Sequence, residues 1–139
     1  MSTKREQIMQ AIQTRLTGLA GVTGVYRTRE DAMAREESPA VALSWDDDRI
    51  REQFFDVIER DLSVLVGVYT RADVPDQAAD AVVQQAYSLL LADTTLGGLA
   101  IDLSEDGTQF EAGDADMTAG WTTVRVKVWY RHSRSSLAA

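Results

Sequence analysis

Cysteine is absent from the 139 residues, proline occurs twice, and His132 is the single histidine. The missing cysteines exclude disulfides, thiolate nucleophiles and cysteine-ligated zinc sites. His132 stands in a Ser/Arg-rich tail, where a general base for a serine nucleophile would be poorly held. Gly97-Gly98 is not followed by the Lys-Ser/Thr pair that a phosphate-binding loop requires. The chain is therefore predicted to be no enzyme and to need no cofactor.

Long hydrophobic runs are also missing, since the longest apolar stretches are far shorter than the roughly 20 residues that span a bilayer. The first residues lead into an amphipathic pattern without the apolar core of a signal peptide. The sequence predicts no membrane association, and the cytoplasm is the expected compartment.

Acidic residues outnumber basic ones, 22 against 14, which gives a net charge of −8. Phosphate neutralisation needs clustered Lys and Arg, so this balance predicts no nucleic-acid binding through the average field of the protein. Solubility is the simplest use of the charge. The alternative is a negative surface that faces a basic partner, or that lets DNA pass without holding it.

Hydrophobic periodicity predicts an α+β fold. Apolar residues recur at helical spacing in 3–19, where Thr3 and Glu6 fit a capping box, and again in 76–91, capped by Asp73 or Asp76. Period-two alternation predicts strands at 21–27, 40–46, 54–70, 99–103 and 121–131. The predicted architecture is a mixed, mostly antiparallel sheet of four to five strands with two main helices packed on one face. Residues 1–131 would form one domain, and 132–139 a flexible tail.

Three acidic segments interrupt this pattern. The run Asp46-Asp47-Asp48 indicates a turn or a solvated strand end. Residues 28–38 indicate a loop with a helical turn near 32–34, and Asp106-Gly107 indicates a hairpin turn. In a strand, Asp46 and Asp48 would share a face and could bind a hard cation such as Mg²⁺. Three adjacent carboxylates are more often a solvated turn, so no metal site is predicted. Asp46 and Asp48 remain the candidates if Mg²⁺ assists assembly.

Aromatic residues mark two possible contact surfaces. The alternation in 121–131 turns Val124, Val126, Val128 and Tyr130 to the core. The opposite face then carries Trp121, Arg125, Lys127 and Trp129. Tryptophan and arginine are enriched at interface hot spots, although a wet face with partly buried indoles is the simpler alternative. The adjacent rings of Phe54 and Phe55 point to opposite faces in a strand, so one of them needs cover from outside the core.

Three stretches carry a resemblance to a known family: Ser38-Pro39-Ala40-Val41-Ala42, the junction from Val68-Tyr69 to Val74-Pro75-Asp76, and Trp121-Thr122-Thr123-Val124 after an acidic segment. Over residues 5–131 the chain resembles the tail terminator proteins of long-tailed phages, the minor tail protein U type.

The resemblance implies a non-enzymatic phage or prophage protein located in the virion tail. Such proteins form a hexameric ring on the tail tube, stop its polymerisation and offer a surface to a head-completion or connector protein, while DNA passes through. Other neck or tail-completion proteins, a peptide- or small-ligand-binding module, and a small carboxylate-dependent enzyme are the alternatives.

A ring requires two different patches on each subunit because its contacts are head-to-tail. The candidate interface residues are Asp46, Asp47, Asp48, Phe54 and Phe55 on one side, and Trp121, Arg125, Lys127 and Trp129 on the other.

Overall fold

The computed structural model describes residues 2–28, 38–113 and 118–139. Its elements in chain order are α1 (Lys4–Leu16), β1 (Val25–Arg27), β2 (Ala40–Gln53), β3 (Val57–Arg71), α2 (Pro75–Leu91), β4 (Asp102–Ala112) and β5 (Ala119–Ser133). The predicted order of helices and strands is confirmed. The predicted helical turn at 32–34 lies outside the described residues.

Across the described residues the strands form one five-stranded sheet in the order β1-β2-β3-β5-β4. Only β1 and β2 run parallel; the other neighbours are antiparallel. The α+β prediction with a mostly antiparallel sheet is therefore confirmed. Among the described residues, β1 pairs with β2 only from Val41 to Leu43, and β4 pairs only with β5.

Both helices cover the same face of the sheet and bury one apolar core there. Ile8, Ile12 and Leu16 of α1 and Val82 and Leu90 of α2 belong to that core. They pack against the inward residues of the three central strands, which alternate with outward ones as predicted. These inward residues are Val41, Leu43, Leu62, Val64, Val66, Val68, Val124, Val126, Val128 and Tyr130.

The helix ends differ in part from the sequence prediction. Thr3 caps α1 as predicted, since its hydroxyl accepts a hydrogen bond from the Glu6 backbone nitrogen at 3.1 Å. The Glu6 carboxylate does not complete the box, because it pairs with Arg27 of β1 at 3.0 and 3.1 Å. The prediction that an aspartate caps α2 is wrong: Val74 occupies the cap position without a side-chain bond, and Pro75 starts the helix.

The acidic run at Asp46 is not a turn. β2 continues through it to Gln53, and the turn to β3 falls at residues 54–56 instead. The register between β2 and β3 shifts at Trp45 and Asp47, so Asp46 is the extra residue of a bulge. Cross-strand bonding to β3 supplies the order that the local sequence does not favour.

Asp106-Gly107 is likewise not a hairpin turn. Both residues lie within β4, where the register against β5 shifts between Glu105 and Thr108, and Gly107 has a φ of 120°. The glycine therefore accommodates a bulge rather than a reversal. β4 begins at Asp102, later than predicted, and the chain reverses after Ala112, where Gly113 donates to the Ala119 carbonyl at 2.7 Å.

The C-terminal segment continues the sheet. β5 extends through His132, which is buried, to Ser133, so the expected boundary at residue 131 falls inside this strand. Arg60 donates from its Nε to the His132 Nε2 at 2.8 Å. Beyond the strand, the Arg134 nitrogen bonds to the Asp56 carbonyl, and the Leu137 carbonyl accepts from the Lys4 nitrogen. The flexibility of residues 132–139 stays a prediction.

Candidate assembly surfaces

The hairpin of β2 and β3 ends in an apolar tip. Phe54 donates its backbone N–H to the Val57 carbonyl at 2.9 Å and is 45% exposed, while Phe55 is 96% exposed. A phenylalanine side chain buries 150 Å² or more when it packs, so a fully exposed ring is unfavourable for an isolated chain. Arg134 braces the turn through the Phe55 and Asp56 carbonyls. The tip therefore presents a supported apolar side chain to solvent.

The three adjacent aspartates lie in different environments. Asp46 turns to the helix-free face, where Arg125 donates to both of its carboxylate oxygens at 2.9 and 3.0 Å. Partial desolvation is the largest single effect and raises the pKa of Asp46, but the hydrogen bonds from Arg125 and Ser63, the charge of Arg125 and a backbone hydrogen bond lower it by more in total. The pKa of Asp46 therefore lies below its usual range. Asp47 pairs with exposed Arg49 at 2.6 Å.

Asp48 points to the other side of the sheet, beneath the start of α1. Its buried carboxylate accepts from Arg5 at 2.9 Å and from the Tyr130 hydroxyl at 2.7 Å. Burial, followed by the hydrogen bond to Asp48, raises the pKa of Tyr130 well above its ordinary value. Asp48 thus joins α1, β2 and β5.

The bulge therefore separates the two candidate cation ligands. Asp46 and Asp48 contact guanidinium groups on opposite sides of the sheet and do not converge. Within residues 2–28, 38–113 and 118–139 no group of three or more histidine or acidic side chains could hold a metal ion. Asp114 and Asp116 lie outside the described residues.

The helix-free face of β3 and β5 carries the second predicted group. Trp121 lies across from Tyr69 with ring centroids 5.3 Å apart. It also covers Gly67, where an added Cβ would be 3.2 Å from the Trp121 Cε3. Trp121 therefore fills a small aromatic cluster on its own subunit, and its indole is only partly accessible.

Trp129 is also partly covered. Its indole nitrogen donates to Glu59 at 3.2 Å, and the Arg51 guanidinium lies 3.9 Å from the ring centroid. Glu59 is buried and accepts from Arg131 at 2.6 Å. This hydrogen bond from Arg131 is the largest influence on the pKa of Glu59 and lowers it. The charged residues around Trp129 thus belong to an internal network.

Lys127 is an exposed cation of this face. It lies between Ser63 of β3 and Ser104 of β4 and forms no hydrogen bond or ion pair with any described residue. The structure therefore brings Arg125 together with Asp46 and leaves Lys127 accessible. Trp121 and Trp129 contact other residues of the face, whereas Phe54 and Phe55 lie apart at the tip.

Several exposed side chains were not singled out from the sequence. Trp45 faces the helix side with Val41 and Leu43 and is 40% exposed, with the Arg5 guanidinium of α1 4.5 Å from its ring centroid. Ile50, Tyr87 and Phe110 are also exposed. The sequence feature that could have indicated the exposure of Phe110 is its position as a lone aromatic residue in an acidic segment.

An apolar cleft lies between α2 and the sheet. Its wall includes Val66, Val83, Tyr87 and Val126, and Glu105 is its one charged lining residue. Small-molecule sites usually combine an apolar wall with several placed polar groups. The cleft offers one such group, so it gives little support to a ligand-binding module.

The chain was compared with known proteins and families. The family model described as phage minor tail protein U matches residues 2–130. The chain belongs to the phage minor tail protein U family. A comparison with curated proteins finds no match.

Membership makes the chain a structural component of the phage tail, where it interacts with other tail components. The predicted family resemblance and the predicted tail location in the virion are confirmed. No helix among the described residues is both long and apolar enough to cross a membrane.

Proposed function

We propose that the chain is the tail terminator of a phage or prophage. Six copies form a ring on the end of the tail tube, stop its polymerisation and present the surface that joins a head-completion or connector protein. The role is structural and involves no catalysis. Assembly takes place in the host cytoplasm and requires no cofactor. The effect of Mg²⁺ on assembly is measured by comparing the oligomeric state with and without the ion.

The observation that carries this proposal is the hairpin tip, taken together with family membership. Phe55 is 96% exposed, and the tip is held in place by the C-terminal segment rather than folded back. An apolar side chain held out in this way fits a contact with another subunit. The helix-free face, with Arg125 and Lys127, supplies a second and chemically different surface, as a head-to-tail ring requires.

The acidic balance suits a ring around DNA. With a net charge of −8, the assembled ring would repel the phosphate backbone rather than bind it, so DNA would pass without specific contacts. Introducing lysines on the ring lumen should then slow DNA passage or retain DNA. Unchanged infectivity of such variants would count against this part of the proposal.

The capping role is tested by polymerising the tube protein of the same phage with the purified chain and measuring tube lengths by electron microscopy. We expect shorter, capped tubes with the natural chain and unrestricted tubes with Phe55→Ser. Val74→Ser is the matched control, since Val74 is also an exposed apolar residue but lies at the start of α2. Equal capping by Phe55→Ser and the natural chain would contradict the assigned role of the tip.

A further inference from the structure

The C-terminal end of the chain contacts three elements that are distant from it in the sequence. Residues 132–137, which are the end of β5 and the segment after it, bond to β3, to the turn between β2 and β3, and to the start of α1. We call these six residues the clasp. The family match ends at residue 130, so family membership alone does not account for these contacts.

His132 anchors the clasp to the sheet. Its side chain is 2% exposed, and its Nε2 accepts from the Nε of Arg60 in β3 at 2.8 Å. Because an arginine Nε can only donate, the ring proton lies on Nδ1. Nδ1 then donates to the carbonyls of Ser133 at 2.7 Å and Ser136 at 3.2 Å. The ring therefore ties the backbone of the clasp to a central strand.

The turn that carries the exposed phenylalanine receives two bonds from the clasp. The Arg134 backbone nitrogen donates to the Asp56 carbonyl at 2.7 Å, and the Arg134 Nη1 donates to the Phe55 carbonyl at 3.4 Å. Within the turn, the Phe54 nitrogen donates to the Val57 carbonyl. The clasp therefore restrains the two residues that this internal bond spans.

The clasp also reaches the first turn of α1. The first four N–H groups of a helix have no partner within the helix. The Thr3 hydroxyl accepts from the Glu6 nitrogen, whereas the Leu137 carbonyl accepts from the Lys4 nitrogen at 2.8 Å. The Lys4 Nζ donates in turn to the Arg131 carbonyl at 2.9 Å. The start of the helix is thus bonded to the clasp and to the strand that precedes it.

We infer that the clasp holds the hairpin tip in one orientation and thereby prepares Phe55 for contact with a neighbouring copy. Association is weakened when a contacting segment has to be ordered at the moment of binding. The Phe55 side chain is 96% exposed, so its orientation depends on the backbone that carries it. His132 and Arg134 are therefore positioning residues. This inference rests on the proposed ring and names the part of the chain that prepares its contact surface.

Hydrogen exchange followed by NMR tests whether the clasp is formed in solution. The full chain is used at a concentration where it is monomeric, so the result does not depend on the ring. The reporters are the amides of Arg134 and Lys4, which donate to the carbonyls of Asp56 and Leu137. We expect both to exchange at least about tenfold more slowly than in an unfolded chain. Lys4 is the sharper reporter, since the first amide of a helix has no partner within the helix.

Two substitutions at one position separate the bonds to the turn. Arg134→Ala removes the side-chain bond, and Arg134→Pro removes the backbone bond as well, because proline has no N–H. Both change the net charge equally. Ser135→Ala is the matched control, since the Ser135 hydroxyl contacts only Ser133, inside the clasp, among the described residues. Urea unfolding verifies that every variant is folded.

Chymotrypsin, which cleaves after aromatic residues, measures the restraint on the tip in the monomer. Cleavage after Phe54 or Phe55, identified by mass spectrometry, should be about fivefold faster for Arg134→Ala and at least about tenfold faster for Arg134→Pro. Light scattering then measures assembly. The concentration at which oligomers form should rise about tenfold for Arg134→Pro, and it should be unchanged for Ser135→Ala.

Three results would overturn the inference separately from the ring. Exchange of the Arg134 and Lys4 amides at the rates of an unfolded chain would show a free C-terminal tail. Unchanged cleavage of the tip in Arg134→Pro would show that the turn does not depend on the clasp. Faster cleavage with unchanged assembly would show that a restrained tip is not needed for the contact between subunits.

The failure of the ring has a different signature. A natural chain that stays monomeric at every concentration, while its Lys4 amide exchanges slowly, would contradict the proposed ring and the role of the clasp in assembly. The clasp would then remain only as a structural feature of the monomer.

Discussion

The three adjacent aspartates provide a prediction that depends on the bulge in β2. Substitution of each by alanine should give very different losses of stability, although the three residues are chemically identical and contiguous. Asp48 is buried and accepts from Arg5 and Tyr130, whereas Asp47 pairs with Arg49, whose side chain is 82% exposed. A solvated turn would instead make the three losses similar and small.

The magnitude follows from what each substitution leaves behind. Asp48→Ala deprives the buried Tyr130 hydroxyl of its acceptor, which costs about 1–3 kcal/mol, and removes the charged bond of partly exposed Arg5. The expected loss is about 3 kcal/mol. Asp46→Ala and Asp47→Ala break exposed ion pairs. We expect stability losses of about 0.5–1 kcal/mol for Asp46→Ala and at most about 0.5 kcal/mol for Asp47→Ala.

Urea unfolding at a concentration where the chain is monomeric measures the three losses directly. Asp48→Asn is the matched control, since its amide oxygen keeps an acceptor for Tyr130 while the negative charge is removed, so it should lose about half as much stability as Asp48→Ala. For a chain of this length, about 3 kcal/mol corresponds to a fall of about 10 °C in the melting temperature. Three losses within about 0.5 kcal/mol of one another would refute the placement of Asp48 beneath α1.

Two further predictions concern stability. Gly67→Ala should lower the free energy of unfolding by about 1–2 kcal/mol and change the tryptophan emission spectrum, because the new methyl group would crowd the ring of Trp121. Gly97→Ala is the control: it is strained only by its positive φ, so the emission spectrum should not change. Acid should destabilise the fold between about pH 5 and 2, since the pKa values of Glu6, Glu59 and Asp46 are lowered and that of Asp93 falls to about 2. Such depressed groups stabilise the folded state above their unfolded pKa values, and this contribution disappears as pH falls through the folded ones. A free energy of unfolding, measured with urea, that stays constant over that pH range would contradict the stabilising role of these ion pairs.

The sequence predicted the central part of the fold because its patterns are long. The alternation in β3 and β5 extends over 15 residues in each strand, so each assignment rests on many positions, and the register places Val64 opposite Val126 as the alternation requires. The stripe of α1 was equally clear, because Ile8, Ile12 and Leu16 recur at helical spacing. Only the length of α1 was overestimated, since the helix was predicted to reach residue 19 and ends at Leu16.

The failures occurred where a distant residue decides the local structure. Asp46-Asp47-Asp48 and Asp106-Gly107 both favour turns locally, but each is paired across the sheet with a longer strand, and the mismatch is absorbed as a bulge. His132 was assigned to the tail because its neighbours are polar. Its bond with Arg60 joins residues far apart in the sequence, which no local pattern reveals.

The surroundings of the candidate interface residues were predicted less well than the fold, and the role of these residues in an interface stays a prediction. Alternation placed Trp121, Arg125 and Trp129 on the helix-free face, but it could not show that Asp46, Glu59 and other groups of the same chain already contact them. The exposure of a side chain at the edge of the sheet depends on where the covering helices end. For that reason Ile50 and Phe110 could be recognised only from the structure.

The central claim is that copies of this chain close into a six-membered ring, and the mass of the particle in solution tests it most directly. Light scattering after size exclusion, over a concentration series with and without Mg²⁺, should reveal a species of six times the 15.3 kDa chain mass, and no species beyond it. A stable closed dimer, or a chain that remains monomeric at every concentration in both conditions, would contradict the account.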